Sequence, residues 1–277
     1  MNIQTKAMLA SLSISQWTAR KHDKAVSREV ESQHGAHDAG RYNKMLVDKK
    51  LLDPITKLAG EIRTYHYSVT LPWNDAGALL PSKLFADYTQ HMRGFKAKFH
   101  DLVHTLVESY PTEVQAARVR LGTMYDPADY PEPHSMHERF SINLEFMPVP
   151  SAADFRVEVT EAAADEIRDD ITKSVNARQQ QAMCECYRRV KDVVSKIHER
   201  LKDEDATFKD SLIENARDLM SVLPGLNITD DPELTALHKE ISDVLLVSPQ
   251  TLRTNPRVRK ATADAAEAIL ASVPWMQ

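Results

Sequence analysis

Cysteine and glycine are scarce in this chain, with two cysteines and seven glycines among 277 residues. Two thiols cannot build a disulfide framework. Cys184 and Cys186 stand two apart on a predicted helix, so their side chains project about 200° from each other and share neither a metal nor a disulfide. They are expected to be reduced. The sequence holds no phosphate-cradling glycine-rich loop, Gly-x-Ser-x-Gly elbow, Cys-x-x-Cys pair or His-Glu-x-x-His motif, which removes the commonest nucleotide-binding, hydrolase, redox and metallohydrolase signatures. Long apolar runs are missing too, so no membrane span is expected. The stretch Met1–Ser15 is too serine-rich for a secretory leader, and a cytoplasmic location is expected. Positive charge is not in excess: 35 Lys and Arg against 40 Asp and Glu give −5, which argues against a globally basic nucleic-acid binder but leaves room for a local basic face.

What is present is a strong pattern of periodicities in a chain that is 42% hydrophobic and 27% charged. Phe140, Ile142, Leu144 and Phe146 alternate with polar residues, as do Phe155, Val157 and Val159. Together they predict a hairpin. Apolar residues then recur every three or four positions from Ile167 through Ile171, Val175, Ala182, Cys186, Val190, Val193 and Ile197 to Leu201, predicting a helix of roughly forty residues, about 60 Å long. A rod of that length normally packs against a partner helix or a second subunit. The expected class is therefore α+β and predominantly helical. A small antiparallel sheet is predicted from strands near 9–17, 64–71, 138–147 and 154–159, with long helices near 81–121 and 160–203 and a helical C-terminal tail.

Local signals refine this. His34-Gly35 closes a charged helix from Lys21, and Tyr42–Ile62 forms a second helical pattern bent at Asp53-Pro54. The aromatic and β-branched run Tyr65–Leu71 reads as a strand ending at Pro72, followed by a turn over Trp73–Gly77. The helix from Pro81 is expected to break at Tyr110-Pro111. Asp231-Pro232, Ser248-Pro249 and Asn255-Pro256 each pair a capping side chain with proline at the first helical position. Residues 1–203 are expected to form the α+β core and 204–277 a helical C-terminal region.

Two groups of side chains are candidates for a site. His100 and His104 lie one turn apart on a predicted helix and could present two imidazoles to a metal, with His34/His37 and His134/His137 as further pairs in loops. His100 and His104 have no third ligand at a recognisable spacing, neither loop pair matches a metallohydrolase motif, and surface histidines are the commoner outcome. Arg253, Arg257, Arg259 and Lys260 form a segment free of acids between Thr251 and Ala263, a candidate for phosphate or nucleic acid. Cations that compensate neighbouring acids on exposed helix faces are the simpler reading. No catalytic residue and no cofactor is assigned.

Leu12-Ser13-Ile14-Ser15-Gln16-Trp17-Thr18-Ala19-Arg20, the connection His34–Arg41, Tyr65-His66-Tyr67 with Thr70-Leu71-Pro72-Trp73, and Asp154-Phe155-Arg156-Val157 together resemble an uncharacterised family of tailed-bacteriophage and prophage proteins. The resemblance spans nearly the whole chain. Its members look like companions of phage-encoded MoxR-type AAA ATPases and von Willebrand factor A proteins. The resemblance implies a non-enzymatic assembly or interaction protein in the cytoplasm of an infected bacterium, self-associating and working with such an ATPase. Hairpin-then-long-helix order also resembles Rad52-like single-strand annealing proteins, which makes DNA binding an alternative. Metal-dependent catalysis through the histidine pairs is a third.

Overall fold

A computed structural model describes residues 3–75, 77–154, 156–157, 159–203 and 205–273. In chain order the regular elements are β1 (Ala7–Ser15), β2 (Arg20–His22), α1 (Lys24–His34), β3 (Asn43–Met45), α2 (Lys49–Ser68), β4 (Leu71–Asn74), β5 (Gly77–Pro81), α3 (Phe85–Leu121), β6 (Ser141–Pro148), α4 (Glu161–Leu201), α5 (Ser211–Leu226), α6 (Pro232–Val244), α7 (Pro249–Thr254) and α8 (Pro256–Ser272). A four-stranded antiparallel sheet runs in the order β4-β5-β1-β6, and β2 and β3 form a separate two-stranded sheet. The expected α+β class with long helices and a helical C-terminal part is what forms.

Contacts divide the chain into two compact units that interleave along the sequence. The first holds residues 1–11, 65–88 and 145–277, and the second holds 12–64 and 89–144. The helices beyond residue 203 therefore belong to the same unit as α4.

The first unit is organised around α4, whose C-terminal half buries Ala182, Met183, Cys186, Tyr187, Val190, Val194, Ile197 and Leu201. These residues recur at helical spacing and meet β4, α5 and α8. The N-terminal half of α4 is covered along a thinner stripe of Ala164, Ile171 and Val175, and its other positions are polar and largely exposed. Thr160 caps the helix by accepting from the Ala163 amide. α5 runs through Pro224 and Gly225 to Leu226. A Cβ on Gly225 would lie 2.5 Å from Leu84 Cδ2, so glycine there permits a close approach.

Sheet pairing differs from expectation in two places. Tyr65–Ser68 is the last turn of α2, not a strand. The buried stripe Ile55, Leu58, Ala59, Ile62 continues at helical spacing onto His66 and Val69, so a histidine carries the core position where alternation suggested aromatics. Tyr67 is exposed. The hairpin partner predicted at 154–159 does not form among the described residues: Asp154 ends a short 3-10 turn, Arg156, Val157 and Val159 lie in no regular element, and Phe155 and Glu158 fall outside the described residues. Val157 and Val159 face solvent instead of a core, and β6 neighbours the N-terminal strand β1. The true hairpin is β4–β5, with Leu71 opposite Leu79 and Asn74 opposite Gly77. Leu79 and Leu80 are both fully buried, so β5 shows no alternation to read.

In the second unit, β2 and β3 pair Arg20 with Met45, Lys21 with Lys44 and His22 with Asn43. Asp23 caps α1 by accepting from the Ala25 and Val26 amides, and Gly35 closes it at φ 58°, as expected of His34-Gly35. Pro54 and Pro111 are both accommodated inside continuous helices. Tyr110, before Pro111, is buried, donates to the Pro131 carbonyl at 2.9 Å and meets Trp17 edge-on, which fixes the helix where proline removes a donor.

A buried cation ties this unit together. Lys44 Nζ lies 2.7 Å from Asp129 Oδ2 and 3.5 Å from Asp23 Oδ2, and it donates to the Met124 carbonyl at 2.7 Å. Burial disfavours its charge, but the two carboxylates outweigh burial and raise its pKa above the ordinary lysine value. Replacing Lys44 by Ala strands two part-buried carboxylates, so urea denaturation is expected to show a loss of about 3 kcal/mol. A loss under about 0.5 kcal/mol, the range of an ordinary surface substitution, would refute the assignment.

Candidate functional site

His66 is a buried histidine of the first unit whose charged form burial disfavours. Its ring is 2% exposed and its Nδ1 shares a hydrogen bond of 2.8 Å with the Tyr88 hydroxyl. Tyr65 stacks on Tyr88 with centroids 6.0 Å apart, and Phe146 meets both Phe85 and Tyr88 edge-on at 5.2 and 6.3 Å. Burial pushes the His66 pKa down to about 4 and that of Tyr65 up to about 12, and it raises Tyr88 further. The imidazole is therefore neutral and held by one partner inside an aromatic cluster. Next to it, Arg189 donates to the carbonyls of Ser68 and Thr70 and to Glu185, so the C-terminus of α2 and the start of β4 are tied to α4.

Two of the clefts in the first unit gather polar side chains from different segments. One, of 370 Å³, is lined by Gln4, Ser151, Thr172, Asn176 and Gln179 among others, a set of amides and hydroxyls without a charge. The other, of 240 Å³, is lined by Lys83, Asn227, Asp230, Thr235 and His238. There Asp230 is held between Lys6 and Lys83, and both lysines lower its pKa. Asn227 is bonded to Asp231 and Thr235. Each ionisable group in this cleft thus has its partner in the chain.

The basic segment is divided by its helices. Arg259 is 9% exposed and donates to the carbonyls of Arg200, Leu201, Asp203 and Ala206, closing the C-terminus of α4 and the turn after it. Arg253 is bonded to Asp210 and the Phe208 carbonyl and lies over the Phe208 ring. Arg257 and Lys260 are also on the surface, beside Asp264, so Arg259 is the one of the four that is buried. The structure does not assemble the four into one exposed strip.

His100 and His104 are exposed on α3 in the second unit. His104 Nδ1 lies 3.5 Å from Glu108 Oε2, and its ring centroid is 6.5 Å from that of His137 in the 3-10 segment Pro133–Arg139. No three His, Cys, Asp or Glu side chains among the described residues converge as a formed metal cluster. Cys186 is buried, which pushes its thiol up to about 12, away from reactive thiolate.

Sequence reading missed His66 and Lys44 as buried polar groups. The signal for His66 was available in its place four residues after Ile62. No comparable signal marks Lys44, whose partners come from distant segments. Among the described residues of the first unit, Tyr67, Phe146, Val157, Val159, Ile167 and Val244 are large apolar side chains that are exposed, four of them between the end of β6 and the first turns of α4. Comparison with protein families, curated proteins and solved structures finds no match to this chain. No helix among the described residues is long and apolar enough to cross a membrane.

A pH dependence follows from His66. Its folded-state pKa lies below the unfolded value of 6.5, so its contribution is intact above about 6.5, falls away as pH drops toward about 4, and totals about 3 kcal/mol. Urea denaturation across that window should show a loss in the wild type that is smaller by this amount in His66→Gln. Equal losses in both proteins would contradict it. Along the basic segment, Arg259→Ala is expected to cost about 2 kcal/mol and Arg257→Ala or Lys260→Ala no more than about 0.5 kcal/mol, a contrast that thermal denaturation checks directly.

Proposed function

We propose that this protein works by contact rather than by chemistry, as a self-associating phage assembly protein whose further partner is a MoxR-type AAA ATPase of the kind the family resemblance implies. The observation that carries this reading is the exposure of Phe146, Val157, Val159 and Ile167. They follow one another along the chain from the outermost strand of the sheet to the start of α4. Exposed apolar side chains gathered in one stretch of chain are a common form of protein contact surface. The apolar stripe of the long helix does not itself call for a partner, because β4, α5 and α8 cover its C-terminal half.

Light scattering on the purified chain across micromolar concentrations is expected to show an oligomer. The double variant Val157→Asp/Val159→Asp, which alters only exposed side chains, should weaken association at least tenfold, about 1.4 kcal/mol, with unchanged circular dichroism. A wild type that stays monomeric throughout that range discards the proposal, and unaltered association of the variant discards this surface.

A further inference from the structure

We infer that the exposed face of α3 near His104 is a binding site for a divalent transition-metal ion of the zinc type, formed by His104 and His137 and completed by His100. The observation behind it is a convergence across 33 residues of sequence. His104 stands in the middle of α3, His137 in the 3-10 segment before β6, and their rings lie 6.5 Å apart between centroids at a tilt of 46°. Two imidazoles ligating one tetrahedral ion at 2.0–2.1 Å have centroids about 5 Å apart. Closing the gap takes a movement of about 1 to 1.5 Å by two side chains that face solvent.

Both flanks of the pair are suited to that ion. His100 precedes His104 by one helical turn on the same face of α3, and since no three ligands converge there as the side chains stand, its exposed side chain has to change rotamer to bring a third nitrogen. Glu108 follows by one turn and its Oε2 lies 3.5 Å from His104 Nδ1. A carboxylate at that nitrogen favours the tautomer whose Nε2 lone pair is free for a metal, the arrangement that orients many zinc-bound imidazoles. His104 and Glu108 side chains are 65% and 68% exposed, so an ion reaches them from solvent and water fills the fourth position. Imidazole nitrogen prefers ions such as Zn²⁺ over Mg²⁺ or Ca²⁺. Bound there, the ion would staple the segment Pro133–Arg139 to α3, the two elements that supply its ligands. The site is independent of the self-association surface, whose residues lie in the other unit.

Isothermal titration of tag-free, chelator-treated protein with zinc chloride tests this. One ion per chain at micromolar affinity, a thermal midpoint that rises with zinc, and at least a tenfold loss of affinity in both His104→Ala and His137→Ala would support it. Since these side chains are exposed, the zinc-free variants should melt as the wild type does. If His137→Ala binds zinc as tightly as the wild type, the helix pair His100 and His104 acts alone and the proposed cross-element site is wrong. Absence of binding at about 100 μM zinc overturns it outright.

Discussion

One apolar stripe governs the larger unit. The positions from Ala182 to Leu201 on α4 are flanked by β4, α5 and α8, and burial of eight side chains at roughly 1 to 3 kcal/mol each is the dominant favourable term available to that unit. Everything placed there depends on it: Arg189 reaches the end of α2 because α4 runs past it, and Arg259 reaches the end of α4 because α8 packs alongside. The rod's length follows from serving two neighbourhoods, a dense one at its C-terminal half and a sparse, polar one at its N-terminal half.

Buried or half-buried cations recur as ties in both units. Lys44, Arg189 and Arg259 each accept the cost of desolvation and in return satisfy carbonyls or carboxylates from segments distant in sequence. Arg259 is drawn inward by the carbonyls at the end of α4 and in the turn after it, while Arg253, tied to Asp210, stays on the surface with Arg257 and Lys260.

Helix boundaries were legible to within a few residues wherever the chain itself carries the capping chemistry. Thr160, Asp231, Ser248 and Asn255 each accept from amides of the first turn, and Gly35 ends α1. Strands were less legible because their evidence is nonlocal. The strands β2 and β3 have three residues each, β5 buries Leu79, Leu80 and Pro81 in succession, and β6 takes β1 as its neighbour instead of the segment after it. The histidines show the same limit: the spacing of His100 and His104 is written in the sequence, whereas the nearness of His137 depends on how the turns from Gly122 to Arg139 fold back along α3.

The interleaving of the two units has a consequence for synthesis. The chain passes between them after residues 11, 64, 88 and 144. On a ribosome, the second unit has all its residues once 144 has emerged, while β1, β4 and β5 must wait for α4 to be made before the surface they cover exists. The apolar faces of the early strands therefore stay uncovered for part of translation, and no single cut in the polypeptide would release either unit whole.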